Sequence, residues 1–457
     1  MKRFLLVVVS IFLVQYSFAQ WAGMGAGPGG KTRALCVHGG SLYAGGDFTG
    51  LVKKWDGTNW VAVGSGLSGT SAPKVNALIS YNGSLYAGGS FSLSSSNFNV
   101  ARWNGNAWVA VGEGLQGVSG SEVKAFCIFN GALYAGGTFT QSGTASLSKV
   151  GKLNSAGTAW SQVGGGAPSS CSAGVYAMAV YYNEFYVGGQ GSAPWINKLD
   201  VSGSSWLNLS SGGLQSGTGV YALMAFKYPN STSFSLFIGG DFTQPPSPTV
   251  CTYYSGQWGT SVSTFSAGVS DQVNCFAASS NGVSGTGAVG AIYAGGVFTV
   301  SGLHAATNVA KKTITAPWDT ASTNSLNGSV RALCFYNGYL VAGGDFTSPG
   351  SYVARVANTV DVEETTDNII ENNIYPNPVI KEALLKVKTK ADLQQPELRM
   401  MDVNGSEIAH HSSLNNFNRA LNEVEFNIDR QDLKAGIYYY TVVDENQTIA
   451  TGKMLVE

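Results

Sequence analysis

A short phrase ending in two glycines returns seven times along this chain of 457 residues. It reads Leu-Tyr-Ala-Gly-Gly-Asp-Phe-Thr at 42–49, and its glycine pairs begin at 45, 88, 136, 188, 239, 295 and 343. A second phrase, Trp-Val-Ala-Val-Gly at 60–64, recurs with tryptophan at 21, 60, 108, 160, 206, 258 and 318. Self-similarity at such a spacing indicates one supersecondary unit repeated many times.

Residues 75–112 show the layout of one unit. Apolar runs at 75–79, 85–89, 100–103 and 108–112 predict four short strands, with Asn-Gly turns at 82–83 and 104–105. Four antiparallel strands in about 45 residues is the size of a propeller blade. Aromatic residues repeated just before the glycine pairs, such as Tyr43 and Tyr86, are expected to be core packing.

The two phrases are out of step at the ends of the repeat region. The segment at Trp21 has no glycine-pair strand before it, and the last unit, which starts at Val330, has no tryptophan strand after it. We therefore predict that the segment near Trp21 is the outer strand of the last unit. Such pairing of the two ends closes the array into a ring of seven blades and hides its edges.

The order of a glycine pair and two later tryptophans resembles the kelch-type β-propeller repeat. The pattern reads Gly45-Gly46, Trp55 and Trp60 in one unit, and Gly88-Gly89, Trp103 and Trp108 in the next. The resemblance implies an all-β protein with a seven-bladed propeller over residues 20–360. It says little about function, because propellers of this kind host unrelated activities.

The N-terminus predicts export. Met1-Lys2-Arg3 precedes the apolar run 4–14, and small residues before Gln20 indicate a signal peptide over residues 1–19, cleaved between Ala19 and Gln20. The run is shorter than the roughly 20 residues that span a bilayer, so we expect no transmembrane segment after cleavage.

The composition changes near residue 361. Residues 361–457 hold 17 acidic and 9 basic residues, whereas residues 20–360 hold 10 acidic and 15 basic ones. Residues 361–372 are predicted to be an acidic linker. Alternating runs at 383–387, 397–403, 424–428, 437–443 and 448–456 then predict a small immunoglobulin-like β-sandwich over residues 373–457.

Three motifs of this tail resemble the C-terminal sorting domain of the Bacteroidetes type IX secretion system. They comprise Tyr375, Pro376, Asn377, Pro378, Gly436, Tyr438, Gly452 and Lys453. The resemblance implies recognition by the type IX machinery, passage through the periplasm, and a final place at the cell surface or outside the cell. An ordinary immunoglobulin-like adhesive module is the alternative.

Charge and motif content argue against several functions. Lys and Arg number 26 against 27 Asp and Glu, so the chain lacks the basic surplus of a nucleic-acid-binding protein. Three G-x-G-x-x-G strings, at 25–30, 64–69 and 112–117, are not followed by helical periodicity, so no nucleotide cofactor is expected. His38 and His304 lack zinc-ligand spacing, and no metal is predicted. Six cysteines permit disulfides, but only Cys171 and Cys251 are considered as a pair.

No catalytic constellation is evident. Asp47 and Asp345 share a repeat position on units that closure makes neighbours, so the two carboxylates are weak catalytic candidates for a polysaccharide-active enzyme. Alternatively, each caps the turn after its own strand. The long second-to-third and blade-to-blade loops share one face, which is the candidate ligand surface. Phe98, Trp195 and His304 lie on it, and for each of them packing within its loop is favoured over a ligand contact.

These observations favour a secreted or cell-surface, non-enzymatic recognition module for a glycan or a protein. A polysaccharide hydrolase or lyase on a propeller scaffold is the first alternative, and a structural or adhesive surface component is the second.

Overall fold

The computed structural model describes residues 20–456. Within that range the description omits residues 70–71, 94–97, 118–119, 167, 193–194, 210–213, 215–216, 228–233, 243–249, 255–256, 259–271, 280–289, 302–303, 314–317, 323, 358–368, 390–392, 403–406, 409–411, 432 and 445–446. Residues 1–19, with Ala19 of the predicted cleavage site, and residues 361–368 of the predicted linker lie outside the described residues.

Seven four-stranded antiparallel sheets follow one another along the first part of the chain. Sheet 1 holds β2 (Thr32–His38), β3 (Ser41–Gly46), β4 (Val52–Trp55) and β5 (Trp60–Ala62). Sheet 2 holds β6 (Lys74–Tyr81), β7 (Ser84–Ser92), β8 (Phe98–Trp103) and β9 (Trp108–Ala110). Sheet 3 holds β10 (Val123–Phe129), β11 (Ala132–Gly137), β14 (Val150–Leu153) and β15 (Trp160–Gln162). Sheet 4 holds β16 (Gly174–Tyr181), β17 (Glu184–Gln190), β18 (Ile196–Leu199) and β19 (Trp206–Asn208), preceded by a 3₁₀ turn at Ser169–Cys171.

The remaining three sheets repeat this order. Sheet 5 holds β20 (Val220–Phe226), β21 (Ser235–Gly240), β22 (Val250–Tyr254) and β23 (Gln257–Trp258). Sheet 6 holds β24 (Gln272–Ala278), β25 (Ala291–Val297), β28 (Val309–Thr313) and β29 (Asp319–Thr320). Sheet 7 holds β30 (Val330–Tyr336), β31 (Tyr339–Gly344), β32 (Val353–Ala357) and, as its outer strand, β1 (Ala22–Gly23). Two small hairpins, β12 (Gln141–Ser142) with β13 (Ala145–Ser146) and β26 (Val300–Ser301) with β27 (His304–Ala305), extend the second-to-third loops of sheets 3 and 6.

The N-terminal segment completes sheet 7, as its sequence predicts. Ala22 pairs with Arg355 and Gly23 with Ala354. Trp21 is 4% exposed, and its backbone exchanges hydrogen bonds with the side chain of Asn324.

The first strands of the sheets pack on one another in sequence. β2 contacts β6, β6 contacts β10, and so on through β16, β20 and β24 to β30, which contacts β2 again. At six junctions the first glycine of a pair packs against a Val side chain of the next sheet. A Cβ at this glycine would lie only 2.5–2.7 Å from that side chain, as between Gly88 and Val123. At the last junction Gly343 meets Thr32 in the same way.

The second glycine of each pair is required for a different reason. A Cβ at Gly89 would lie 2.0 Å from the carbonyl oxygen of Lys74 on its own sheet's first strand, and the other six second glycines approach a carbonyl equally closely. The repeated glycine pair is therefore a packing requirement of the scaffold rather than a ligand site.

Residues 369–456 form two further four-stranded sheets around one core. One sheet has the order β33 (Ile369–Tyr375), β34 (Glu382–Thr389), β38 (Glu423–Asp429) and β37 (Ser412–Asn418). The other has the order β36 (Glu407–Ile408), β35 (Pro396–Met401), β39 (Gly436–Asp444) and β40 (Gln447–Val456), and a 3₁₀ turn spans Arg419–Leu421. Side chains of both sheets, among them Leu385, Phe426, Tyr440 and Met454, share the core.

The boundary of this part differs from the prediction. β33 begins at Ile369, so residues 369–372 belong to a sheet and not to the linker. Asn372 pairs with Val387 of β34, and its side-chain oxygen accepts a hydrogen bond from the Tyr440 hydroxyl at 3.0 Å.

Candidate functional site

Each of the seven first strands carries a β-bulge near its start. In sheet 2, Val75 pairs with Gly89 and Ala77 with Gly88, so Asn76 is an extra residue without a partner on the second strand. The same register shift occurs in all seven sheets. We call the seven extra residues the bulge ring: Arg33, Asn76, Lys124, Tyr176, Tyr221, Asn274 and Arg331. A bulge re-aims a side chain, and all seven are half-buried.

Side chains of the bulge ring contact the next sheet. The Asn76 amide donates to the carbonyl oxygen of Val123 at 2.9 Å, and the Asn274 amide donates to that of Val330 at 2.9 Å. Tyr176 meets Tyr221 edge to face, with ring centroids 5.7 Å apart. The ring lies where the first strands begin, which is the end from which the long loops emerge.

Asp47 and Asp345 lie at this end, and among the described residues neither carboxylate accepts a hydrogen bond from a turn N–H group. Each carboxylate accepts two hydrogen bonds from an arginine of its own first strand, Arg33 and Arg331 respectively. Burial raises the pKa of Asp345, but the hydrogen bonds and charge of Arg331 outweigh it and hold that pKa below its ordinary value. The hydrogen bonds that Arg33 donates to Asp47 in turn raise the pKa of Arg33.

Asp241 stands at the same repeat position in sheet 5, and it caps a loop, although not the turn after its own strand β21. Asp241 accepts hydrogen bonds from the backbone N–H groups of Thr218 and Gly219, and from the Thr218 hydroxyl. The capped loop is the one that precedes β20. The same repeat position therefore has two uses, and the choice follows the bulge residue, which is arginine only in sheets 1 and 7.

Glu122 links side chains of sheets 2 and 3, and sequence reasoning missed this role. Its carboxylate lies 3.1 Å from the Lys74 ammonium and 2.9 Å from that of Lys124, and it accepts a hydrogen bond from Asn76. Burial raises the pKa of Glu122, but these partners outweigh it and lower the pKa below its ordinary value. Burial also lowers the pKa of Lys124.

The three predicted ligand-face residues have different positions. Phe98 is half-buried at the start of β8, opposite Ser92. The backbone of His304 lies in the hairpin strand β27, at the predicted face, and its side chain is not described. Trp195 is only 5% exposed, and its ring N–H donates to the carbonyl of Gly191.

Trp195 is buried because sheet 4 departs from the repeat. The other six sheets bury a phenylalanine three residues after the first glycine of the pair: Phe48, Phe91, Phe139, Phe242, Phe298 and Phe346. Gly191 stands at that position in sheet 4, and Trp195 is the buried aromatic residue of the same loop. Its expected role in an exposed ligand surface does not fit this burial.

The six cysteines are all free thiols, so the considered pairing of Cys171 with Cys251 is not present. The Cys171 thiol instead donates to the carbonyl of Trp195. Across the part of the chain that the structure describes, no cluster of three or more His, Cys, Asp or Glu side chains could hold a metal ion. In the same residues, no helix is long and apolar enough to cross a membrane.

A cleft of about 500 Å³ lies at the opposite end of sheets 2 and 3, lined by the turn residues Asn82, Asn130 and Asn154. Asn82 and Asn130 have positive φ angles and serve tight turns. The Asn154 side chain accepts from the backbone of Thr158. These polar groups therefore hold turns, so the bulge ring is the better candidate site.

The tail motifs are part of the sandwich. Tyr375 is 79% exposed at the end of β33, and the Asn377 side chain accepts from the backbone of Leu455 at 2.8 Å. Tyr438 is buried, and its hydroxyl donates to the carbonyl of Lys434. A Cβ at Gly452 would lie 2.3 Å from the Tyr440 ring, so this glycine admits the ring.

Within the described part of the tail, no side-chain contact assigns a role to the other four motif residues. Gly436 opens β39, and Lys453 is exposed on β40. Pro376 and Pro378 follow cis peptide bonds after β33.

The bulge ring has a signal in the sequence. Its members stand between repeated small or branched residues, as in Val-Asn-Ala, Val-Lys-Ala, Val-Tyr-Ala and Val-Arg-Ala. The flanking residues recur because they pack at the junctions, whereas the middle residue changes from sheet to sheet. A polar position that varies between constant neighbours is the pattern of a site on a repeated scaffold.

Comparisons with known proteins bear mainly on the tail. The chain is similar to the crystal structure of the extracellular domain of a hybrid two-component system from B. thetaiotaomicron, with 10% sequence identity and a TM-score of 0.43. The similarity covers 97% of this chain and 59% of that one, so this chain spans less than two thirds of that protein's length. No curated protein matches the chain. Residues 373–457 match the family described as the secretion system C-terminal sorting domain, and this type IX tail marks the protein for export to the cell surface or the extracellular space.

Proposed function

We propose that residues 20–360 form a closed seven-bladed β-propeller of the kelch-like type. Seven four-stranded sheets in chain order, each packed on the next, support this architecture. The glycine contact that joins neighbouring sheets recurs between Gly343 and Thr32, where the last sheet meets the first. The outer strand β1 gives sheet 7 the same four strands as the others.

We propose further that this propeller is a non-enzymatic recognition module for a glycan or a protein. The observation that carries the proposal is the bulge ring. Packing positions repeat from sheet to sheet, but the bulge position holds arginine, asparagine, lysine or tyrosine. These side chains offer hydrogen bonds, charge and aromatic faces at one end of a rigid frame, where long loops also emerge.

The state of the carboxylates favours recognition over polysaccharide cleavage. Glycoside hydrolysis needs one carboxyl group with a raised pKa to donate a proton. The pKa of Asp345 is lowered instead, and Asp47 and Asp345 each serve to fix an arginine. Both groups therefore act as positioning partners in this arrangement.

The route out of the cell is the third part of the proposal. The sorting domain over residues 373–457 supports export by the type IX machinery. We propose that residues 1–19 are a signal peptide removed before Gln20, and that the chain crosses the periplasm before the tail directs it outward. Deleting residues 373–457 in a host with a type IX system should leave the protein inside the cell, and secretion of the truncated chain would contradict this.

The recognition role is tested with mature protein of residues 20–457 on a panel of polysaccharides and glycoproteins. Retention and release of reducing ends are measured in the same wells. We expect retention without release, lost in Tyr221→Ala and kept in Tyr182→Ala, a 53% exposed tyrosine at the short-turn end. Release of reducing ends would overturn the non-enzymatic role. Retention that survives Tyr221→Ala would remove the bulge ring from the site.

A further inference from the structure

The described ion pairs around the bulge ring are concentrated on one side. Sheets 7, 1, 2 and 3 contribute ion pairs between five cationic and three anionic side chains. The cations are Lys31, Arg33, Lys74, Lys124 and Arg331, and the anions are Asp47, Glu122 and Asp345. Within these described ion pairs the cations exceed the carboxylates, so this side attracts anions.

The two arginines are held in the same way on first strands that touch. Arg33 and Arg331 each use Nε and Nη2 to bind their aspartate, with the Arg331 contacts at 2.7 and 2.6 Å. This side-on pair lies along one edge of the guanidinium and leaves Nη1 outside it. Because β2 and β30 contact each other, the two fixed arginines are neighbours. Lys31, directly before β2, lies 4.0 Å from Asp345 and adds a second cation to the one that Arg331 places there.

An aromatic pair adjoins this cationic side. The Lys124 ammonium lies 5.2 Å from the ring centre of Tyr176, which packs edge to face on Tyr221. The Tyr221 hydroxyl is fixed by hydrogen bonds with Gln190 at 2.8 Å and Thr218 at 2.6 Å. Aromatic side chains held this way present a rigid surface for the C–H face of a sugar ring, at low conformational cost.

We propose that the bulge ring binds an acidic saccharide, that is, a sugar chain bearing carboxylate groups. This inference rests on the recognition function proposed above. A planar carboxylate matches the donor geometry of the guanidinium group, and the sugar rings lie against the tyrosine pair. Glu122, Asp47 and Asp345 hold the cations in position and offset the repulsion among these cations when no ligand is bound. Carboxylated sugars are therefore selected over neutral ones of the same length.

The test measures binding of polygalacturonate oligosaccharides to mature full-length protein, with neutral dextran oligosaccharides and sulfated dextran as comparisons. We expect binding of the carboxylated sugar, weakened by added salt, and at least tenfold weaker binding to the neutral one. The double variants Arg33→Gln/Asp47→Asn and Arg331→Gln/Asp345→Asn replace each ion pair by two neutral side chains without changing net charge. Each should lower affinity for the carboxylated sugar at least tenfold.

Lys152→Gln is the matched control, because Lys152 is an exposed cation on β14 outside the ring. It should leave binding unchanged, and tryptophan fluorescence checks that all variants are folded. Equal binding of neutral and carboxylated sugars would overturn the acidic-ligand inference while leaving glycan recognition intact. Stronger binding of sulfated dextran than of polygalacturonate would overturn the choice of carboxylate. Binding of no saccharide would overturn the inference and leave protein recognition as the proposed function.

Discussion

Replacing Trp21 by alanine tests whether the N-terminal segment is as firmly packed as an internal strand. Trp21 is 4% exposed and lies in a core with Leu326, Phe346 and Val356 of the last sheet. Truncating a buried tryptophan to alanine typically costs about 3–5 kcal/mol in the free energy of unfolding. Its backbone hydrogen bonds with Asn324 remain possible in the variant, so the loss comes from packing alone.

The loop that this strand closes makes the result informative. Pairing of Ala22 with Arg355 joins residues at opposite ends of the seven sheets. The entropy of closing a flexible loop of that length is about 5 kcal/mol, and a strand of two residues offsets little of it. Trp21 and the contact between the first and last sheets must therefore supply the stabilisation. We expect Trp21→Ala to lower the stability of the repeat region by the full 3–5 kcal/mol.

Urea unfolding followed by tryptophan fluorescence measures this effect, because all ten tryptophans lie between residues 21 and 318 and none in the tail. Trp160→Ala is the matched control, since Trp160 is 3% exposed in the outer strand of sheet 3. The two variants should lose similar stability. A loss below about 1 kcal/mol for Trp21→Ala beside a full loss for Trp160→Ala would refute the reasoning.

Three further predictions follow from the packing and the charges. Gly89→Ala should destabilise the protein by more than the roughly 1–3 kcal/mol of ordinary overpacking, because its Cβ would meet a backbone carbonyl at 2.0 Å; Gly166→Ala, in open space, should be neutral in the same urea titration. The pKa of Glu122 is lowered in the folded protein, so the stabilising effect of its carboxylate is complete above the unfolded-state pKa of 4.5 and is lost as the pH falls through the lower folded-state pKa. Glu122→Gln should therefore flatten the fall of the unfolding free energy with pH in that window. An unchanged slope would contradict this. Thiol titration of the unreduced, denatured chain should count six thiols, and burial, which raises the pKa of Cys171 to about 12, should keep that thiol unreactive in the folded protein; a count of four would reveal a disulfide.

Most of the repeat region could be predicted because its constraints are local and recur. The strands 75–79, 85–89 and 100–103 of one unit all lie within observed strands, and Asn82-Gly83 forms the expected turn with positive φ at both residues. The pairing of β1 with β32 was predictable because each end lacked what the other supplied. The hairpins within the long loops were missed, because two-residue strands leave no periodic pattern.

The tail was predicted less completely for a similar reason. The five alternating runs correspond to β34, β35, β38, β39 and β40, but β33, β36 and β37 were not predicted. The polar sequence Glu371-Asn372-Asn373 in β33 indicates a linker when taken alone. It is a strand because it pairs with β34, a contact that no local pattern reveals.

The candidate site was the hardest part to foresee. Asp47 and Asp345 were placed at the correct end, but their arginine partners lie 14 residues earlier on another strand. Trp195 was expected to be exposed because its loop is long, and the missing phenylalanine at Gly191 was not recognised as the reason for its burial. Side-chain partners across strands depend on register, and a single bulge shifts that register by one residue.

The bulge in each first strand also separates two requirements that usually conflict in a protein, a constant frame and a variable binding surface. Its extra residue has no partner on the second strand, so a substitution there leaves the ladder, the glycine contacts and the core as they are. Seven such positions can therefore change one at a time while the backbone pairing of the frame stays the same, and under the proposed recognition role each change alters what the frame binds. A lineage carrying this frame could therefore acquire new ligands gradually, one bulge residue at a time.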